Sequence, residues 1–190
     1  MTVLPIRIYG DPVLHEPARP VGAIDPELRT LVADMFETMD AAPGVGLAGP
    51  QVGVGRRVFV YGYEEEGVLR RGVAIDPELF VSPAVPESIR ELDEDAESEG
   101  CLSFPGERFP LRRAERALLR ARDLDGEPYE LAASGWFARI LQHEYDHLEG
   151  VLYADRLGHP WGKQAFRTMR RRGWGGPGRS WLPGRDDLEG

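Results

Sequence analysis

The sequence is short of cysteine, nearly devoid of lysine, and without a long apolar run. Cys101 is the single cysteine of 190 residues, so no internal disulfide can form and no bridge framework stands in for a hydrophobic core. No stretch approaches the roughly 20 apolar residues that span a bilayer, and no basic start leads into an apolar segment. We therefore expect a cytoplasmic protein with no membrane partner. Lys163 is the one lysine among 23 basic residues, and against 32 acidic ones the net charge is -9, which argues against general binding to DNA. What remains, at 42% hydrophobic, suffices for one compact unit enclosing a site, expected as a monomer.

The charge is uneven along the chain. Glu91, Asp93, Glu94, Asp95, Glu97 and Glu99 form an acidic cluster that we read as solvated surface, and the stretch 81–97 suits either a strand or an exposed flap. Arg156, Lys163, Arg167, Arg170, Arg171, Arg172, Arg179 and Arg185 make residues 156–190 basic. Asp25-Pro26 has the form of a helix start, and Leu28, Leu31, Val32, Met35, Phe36 and Met39 follow with helical period as far as Pro43-Gly44. The glycine-rich residues 44–53 then predict a loop that turns tightly or is closely approached. Strands are expected over 57–63, 72–75, 79–85, 117–124 and 129–131, and Glu64-Glu65-Glu66-Gly67 as an exposed turn. A second helix begins near Ser134 and stops at Gly150; a third, basic one covers 160–172. After Gly173 the glycine, proline and arginine content predicts a loosely ordered tail. The fold class expected is α+β, a central helix surrounded by short, mostly antiparallel β-strands, with an N-terminal and a C-terminal helix.

His143-Glu144-Tyr145-Asp146-His147 is an H-E-x-x-H pattern inside the best-formed helical segment, so both imidazoles share one face. Glu144 lies about 100° around the helix axis, placed to reach a water without having to ligate. A catalytic ion generally takes three protein ligands and keeps one position open, so a third is needed. Tyr153 stands where a metzincin has its third histidine, and no glutamate occurs between Glu149 and Glu189. Asp155 and His159 are weaker candidates; upstream, Cys101 offers a thiolate that completes a soft set.

Three separated segments carry a specific resemblance: Gly44-Val45-Gly46-Leu47-Ala48-Gly49-Pro50-Gln51, Glu99-Gly100-Cys101-Leu102-Ser103, and Gln142-His143-Glu144-Tyr145-Asp146-His147. Together, and in this order, they are similar to the motifs of the peptide deformylase family, from about Ile6-Arg7 through Asp155-Arg156; Gly49 stands where the family more often has alanine. The resemblance implies a hydrolase that releases formate from the formylmethionine of newly made polypeptides. It implies one divalent metal ion held by Cys101, His143 and His147, ferrous iron being the usual ion of the family, whereas the ligand types alone suit zinc equally. Glu144 is expected to take the proton of the attacking water and pass it to the leaving amine. By resemblance, the Gln51 side-chain amide and the Leu102 backbone N–H stabilise the oxygen on which charge develops. The backbone of Val45, Gly46 and Gly100 is expected to hold the peptide as a rail. Trp136 and Ile140 either line the methionine pocket or pack as ordinary core. Residues 1–155 are expected to form the catalytic domain and 156–190 a basic helix and tail, whose arginines form either a solvated face or a contact for ribosomal RNA.

Two other readings use the same residues. A metalloprotease of another class would cleave internal peptide bonds with the same helix, and the missing downstream ligand counts against it. A catalytically silent binding module would dock through the basic C-terminal helix, and the intact Glu144 counts against that.

Overall fold

The computed structural model describes residues 2–65, 67–83, 91–186 and 188. The first helix, α1 (Pro26–Ala41), starts as its cap dictates: the Asp25 carboxylate accepts from Leu28 N at 2.7 Å, and Pro26 fills the first helical position. Two further helices follow, α2 (Gly135–Leu148) and α3 (Trp161–Arg172). The strands among the described residues are β1 (Ile6–Arg7), β2 (Gly46–Ala48), β3 (Val58–Glu65), β4 (Val68–Val81), β5 (Ser98–Cys101), β6 (Phe104–Pro110), β7 (Arg116–Arg122), β8 (Pro128–Ser134) and β9 (Ser180–Trp181). Every strand pair is antiparallel: one sheet runs β2-β3-β4-β7-β8, and β5-β6 and β1-β9 make two small ones. This is the expected α+β arrangement.

The alternation of β3 explains how the large sheet is filled on both sides. Val58 and Val60 point to one face, where they pack with Leu28, Val32, Met35 and Met39 of α1. Phe59 and Tyr61 point to the other, where they meet Phe137, Ile140 and Leu141 of α2. The sheet is therefore clamped between two helices, and α2, with 11 of its 14 residues buried, is the central one. A third cluster joins Cys101, Phe104 and Phe109 to Tyr153 and to Ala165 of α3, which fastens the β5-β6 hairpin beside α2.

Several expectations need correcting. The segments 72–75 and 79–85 are one strand, β4, interrupted by a register shift between Ile75 and Glu78. Pro77 has no N–H to give the ladder, and a bulge absorbs it; Asp76 takes the left-handed conformation there, φ 48°, and is held by Val21 N at 2.7 Å and by Arg122. Residues 84 and 85, the end of the expected strand, lie outside the described residues. The hairpin β5-β6 has no counterpart among the expected strands, because Pro105 and Gly106 interrupt any strand pattern. Of the stretch 81–97, the described part from Glu91 contains a turn in which Asp93 Oδ1 accepts from Asp95 N and Ala96 N.

The tail differs most from expectation. Ser180 and Trp181 pair with Arg7 and Ile6, Ile8 N donates to Arg179 O at 3.0 Å, and Gly178 N donates to Asp11 Oδ2 at 3.0 Å. Composition predicts looseness here because glycine and arginine dominate, yet one large apolar side chain suffices to anchor the segment: Trp181 is 3% exposed and packs with Ile6 and the α1 cluster. No helix among the described residues is long and apolar enough to cross a membrane. Trp181→Ala is expected to cost about 3–5 kcal/mol by emptying this part of the core. Thermal unfolding followed by circular dichroism checks it; an unchanged Tm contradicts an ordered tail.

Candidate metal centre

His143 and His147 lie one turn apart on α2, with ring centroids 5.0 Å apart. Cys101 ends β5, immediately before the two-residue turn Leu102-Ser103 that closes the hairpin with Phe104 opposite Cys101. The packing of that hairpin against α2 brings Cys101 Sγ to 3.3 Å from His147 Nε2, and the ligating atoms of Cys101, His143 and His147 all lie within 4.8 Å of one another. All three side chains are buried. Tetrahedral bonds of about 2.0–2.3 Å to sulfur and imidazole nitrogen set such donors roughly 3.3–3.6 Å apart; the Cys101–His147 pair has this spacing and the third donor lies within 4.8 Å, a set that suits a divalent ion. Among the described residues no other group of three such side chains converges in this way. Asp155, a weaker candidate, is engaged elsewhere, accepting from Tyr9 Oη at 2.6 Å and from Leu152 N at 2.9 Å.

One carboxylate orients the first imidazole. Glu99 Oε1 lies 2.6 Å from His143 Nδ1 and 2.7 Å from Arg113 Nη2, while Glu99 Oε2 accepts from Arg113 Nε at 3.1 Å and Arg139 Nη1 at 3.0 Å. Burial alone pushes the Glu99 carboxyl up, but the His143 hydrogen bond and the Arg113 charge outweigh it and hold the group well below the usual carboxylate range. An ionised Glu99 can only accept, so His143 Nδ1 carries a proton and Nε2 is the ring nitrogen left to meet an ion. Burial pulls His143 down while Cys101 and Glu99 push it well above its ordinary value; His147, buried and facing His143, is pushed well below. A positive charge at this point thus balances the anions around it, and a bound cation meets the same demand.

The remaining site residues come from two segments. Gln51 sits in a 3₁₀ turn, Gly49–Val52, with its carboxamide oxygen fixed by Ala48 N at 2.8 Å, which leaves Nε2 aimed inward, 3.9 Å from Cys101 Sγ. Glu144 is buried and its Oε2 has no hydrogen-bond partner among the described residues. A Cβ placed on Gly46 would overlap that carboxylate, which explains why glycine stands there. A Cβ on Gly49 would come to 2.9 Å from the carbonyl oxygens of Val54 and Arg56, so this loop has closed around the smaller residue. Burial pushes Glu144 up to about 7.

Gly46 lies on β2, at one edge of the large sheet. Val45 O accepts from Gly62 N, so by alternation the N–H and C=O of Gly46 point away from β3, toward that edge. Gly100 lies on β5, opposite Arg108. Trp136 lines a cavity of about 290 Å³ together with Glu97, Arg113 and Arg139, and the Arg139 guanidinium lies 5.3 Å from the centre of its ring. Ile140 is packed in the cluster with Phe137 and Leu141.

Sequence reasoning assigns no task to Glu99, Arg113, Arg139 or Asp146. Asp146 Oδ2 accepts from Arg113 and from Arg156 Nε at 2.6 Å, extending the charged network along α2. Glu99 and Asp146 sit inside the family motifs, beside ligands, which is the available signal; Arg113 and Arg139 carry none.

Residues 3–161 match the family described as polypeptide deformylase. The peptide deformylase of Mycolicibacterium smegmatis is 50% identical over 192 residues, covering 97% of this chain and 96% of that protein. That of Tropheryma whipplei is 46% identical over 189 residues, covering 95% and 94%. Among solved structures, the peptide deformylase of Thermus thermophilus superposes with a TM-score of 0.75 at 40% identity, over 89% of this chain and 94% of that one. The Synechococcus elongatus enzyme, in complex with actinonin, gives 0.77 at 35% identity, over 90% and 88%.

The Glu144 shift has a consequence for stability. Its folded pKa of about 7 lies above the ordinary 4.5, so the protonated carboxyl contributes stability in full below 4.5 and loses it as pH rises through 7. In metal-free protein, Glu144→Gln is therefore expected to raise Tm at pH 8, by up to about 3 kcal/mol of stability, with no gain at pH 4. Equal Tm values at pH 8 contradict a buried, charge-averse carboxyl.

Proposed function

From the premise that this chain belongs to the polypeptide deformylase family, we propose how its residues divide the work. The chain is a metal-dependent hydrolase that removes the formyl group from the N-terminal methionine of newly made polypeptides, releasing formate. The observation that carries the assignment of roles is the unpartnered Glu144 carboxylate oxygen beside three converging soft ligands. We assign the ion to Cys101, His143 and His147. These residues would hold a divalent ion, which when bound would supply Lewis acidity and lower the pKa of a water toward neutrality. Iron in the ferrous state is our choice for this chain, although the Cys-His-His donor types suit zinc as well.

Glu144 accepts the water's proton and returns it to the amine that leaves; a carboxyl raised by burial toward neutrality is matched to both transfers. Gln51, fixed by the Ala48 N–H, presents its amide to the formyl oxygen together with the Leu102 N–H. The outward main chain of Gly46 runs along one side of the bound peptide, with Gly100 on the other; Val45, expected to share this rail, turns its carbonyl inward to Gly62 N. The cavity beside Trp136 receives the methionine side chain, with Ile140 behind it in the same apolar cluster. Residues 1–155 carry the catalytic residues of a cytoplasmic monomer, and the segment after them is packed into the same core. The exposed Arg167, Arg170, Arg171 and Arg172 of α3 make the ribosome contact, which brings the enzyme to its nascent substrate.

Anaerobically purified protein is expected to release formate from formyl-Met-Ala-Ser and to leave unblocked peptides intact. Internal cleavage without formate release would instead mark a protease of another class. Glu144→Ala is expected to keep one metal per chain and lose turnover, whereas Cys101→Ala loses metal after dialysis; full occupancy in the latter removes the thiolate from the ligand set. Gln51→Ala is expected to lower kcat about 10²–10³-fold with metal content unchanged. A wild-type kcat assigns the oxyanion to other donors.

A further inference from the structure

A side chain of the C-terminal tail reaches the peptide group next to the metal centre. Trp181 Nε1 donates to Leu102 O at 2.8 Å. The N–H of that same peptide unit belongs to Ser103, and it points at Cys101 Sγ at 3.4 Å. The next carbonyl, Ser103 O, accepts from Tyr9 N at 2.8 Å, and Tyr9 O accepts in turn from Gly175 N at 3.0 Å. The turn after the thiolate is thus held from both ends of the chain, by the segment following β1 and by the segment leading to β9. Trp181 and Ser103 are both buried, which shields the Ser103 N–H···S bond from water.

We propose that Trp181 is a positioning residue for the metal centre, acting on the Cys101 sulfur through the Leu102-Ser103 peptide. The inference rests on Cys101 being a ligand, and it adds a task for the C-terminal tail. An N–H directed at a thiolate withdraws charge from the sulfur and fixes its lone pairs, and outer partners of this kind tune metal affinity. A hydrogen bond accepted at the carbonyl of a peptide polarises it and strengthens donation from its N–H. The indole N–H therefore sets both the strength and the direction of the Ser103 N–H···S bond. It also sets the orientation of the turn that begins with the Leu102 N–H.

The discriminating substitution is Trp181→Phe, which keeps an aromatic ring in the core and removes the donor together with one ring of the indole. Val32→Ala, in the same apolar cluster but away from the turn, serves as the control for lost stability. Each protein is loaded with cobalt(II), the thiolate-to-cobalt charge-transfer band is recorded, and metal affinity is measured by chelator competition. Trp181→Phe is expected to shift the band, weaken metal binding about tenfold and lower kcat with KM unchanged. Val32→Ala is expected to lower Tm and move none of these. A Trp181→Phe protein with the wild-type band and affinity overturns the proposal, and so does a Val32→Ala protein whose band moves equally. Absence of any thiolate band in the wild type removes Cys101 from the ligand set itself, an outcome distinct from failure of the Trp181 link.

Discussion

Glu99 takes hydrogen bonds from His143, Arg113 and Arg139 on its two carboxylate oxygens, and in doing so ties the strand that carries Cys101 to the helix that carries both imidazoles. Sulfur and nitrogen ligands from elements 42 residues apart in sequence, Cys101 and His143, have no covalent reason to meet. The carboxylate supplies one. Its desolvation is costly, and only a nearly complete set of partners offsets it, so few arrangements of β5 against α2 other than the observed one are stable. Removal of one partner from such a buried set leaves an uncompensated charge, at a cost on the order of 3–5 kcal/mol. Asp146, next to His147 on α2, holds Arg113 and Arg156, so Arg113 joins the two carboxylates in one charged network.

The same construction explains the division of the glycine-rich segment. Gly46 is small because Glu144 lies over it, and Gln51 faces inward because the Ala48 N–H holds its oxygen. The loop is closely approached, as its glycines predict: Glu144 lies over Gly46, and the Val54 and Arg56 carbonyls lie over Gly49. The outward backbone of Gly46 sits at the sheet edge, where we propose that the extended peptide adds by main-chain hydrogen bonds.

Much of this is legible in the amino-acid sequence alone. The spacing of His143 and His147 puts both on one face of α2 by geometry, and the cap and apolar period of α1 locate that helix closely. Cys101 is different: a lone cysteine has no function by local pattern, and it enters as the thiolate that completes the two imidazoles and through the motif around it. Arg113 and Arg139 are illegible because their role depends on which carboxylate the fold sets against them, a long-range property that no local period encodes. The strand β4 reads as two because Pro77 is a strand breaker by local rules, and a bulge overrides them. The tail reads as loose for a related reason. Composition averages over glycines and arginines, whereas order there depends on Trp181 and the few main-chain bonds beside it.

The central claim is that one buried point in this fold is shared by a sulfur and two imidazole nitrogens. X-ray absorption on the zinc-loaded wild-type protein tests it most directly. One sulfur at about 2.3 Å and two imidazole nitrogens at about 2.0–2.1 Å are expected. A first shell of nitrogen and oxygen alone would contradict the account.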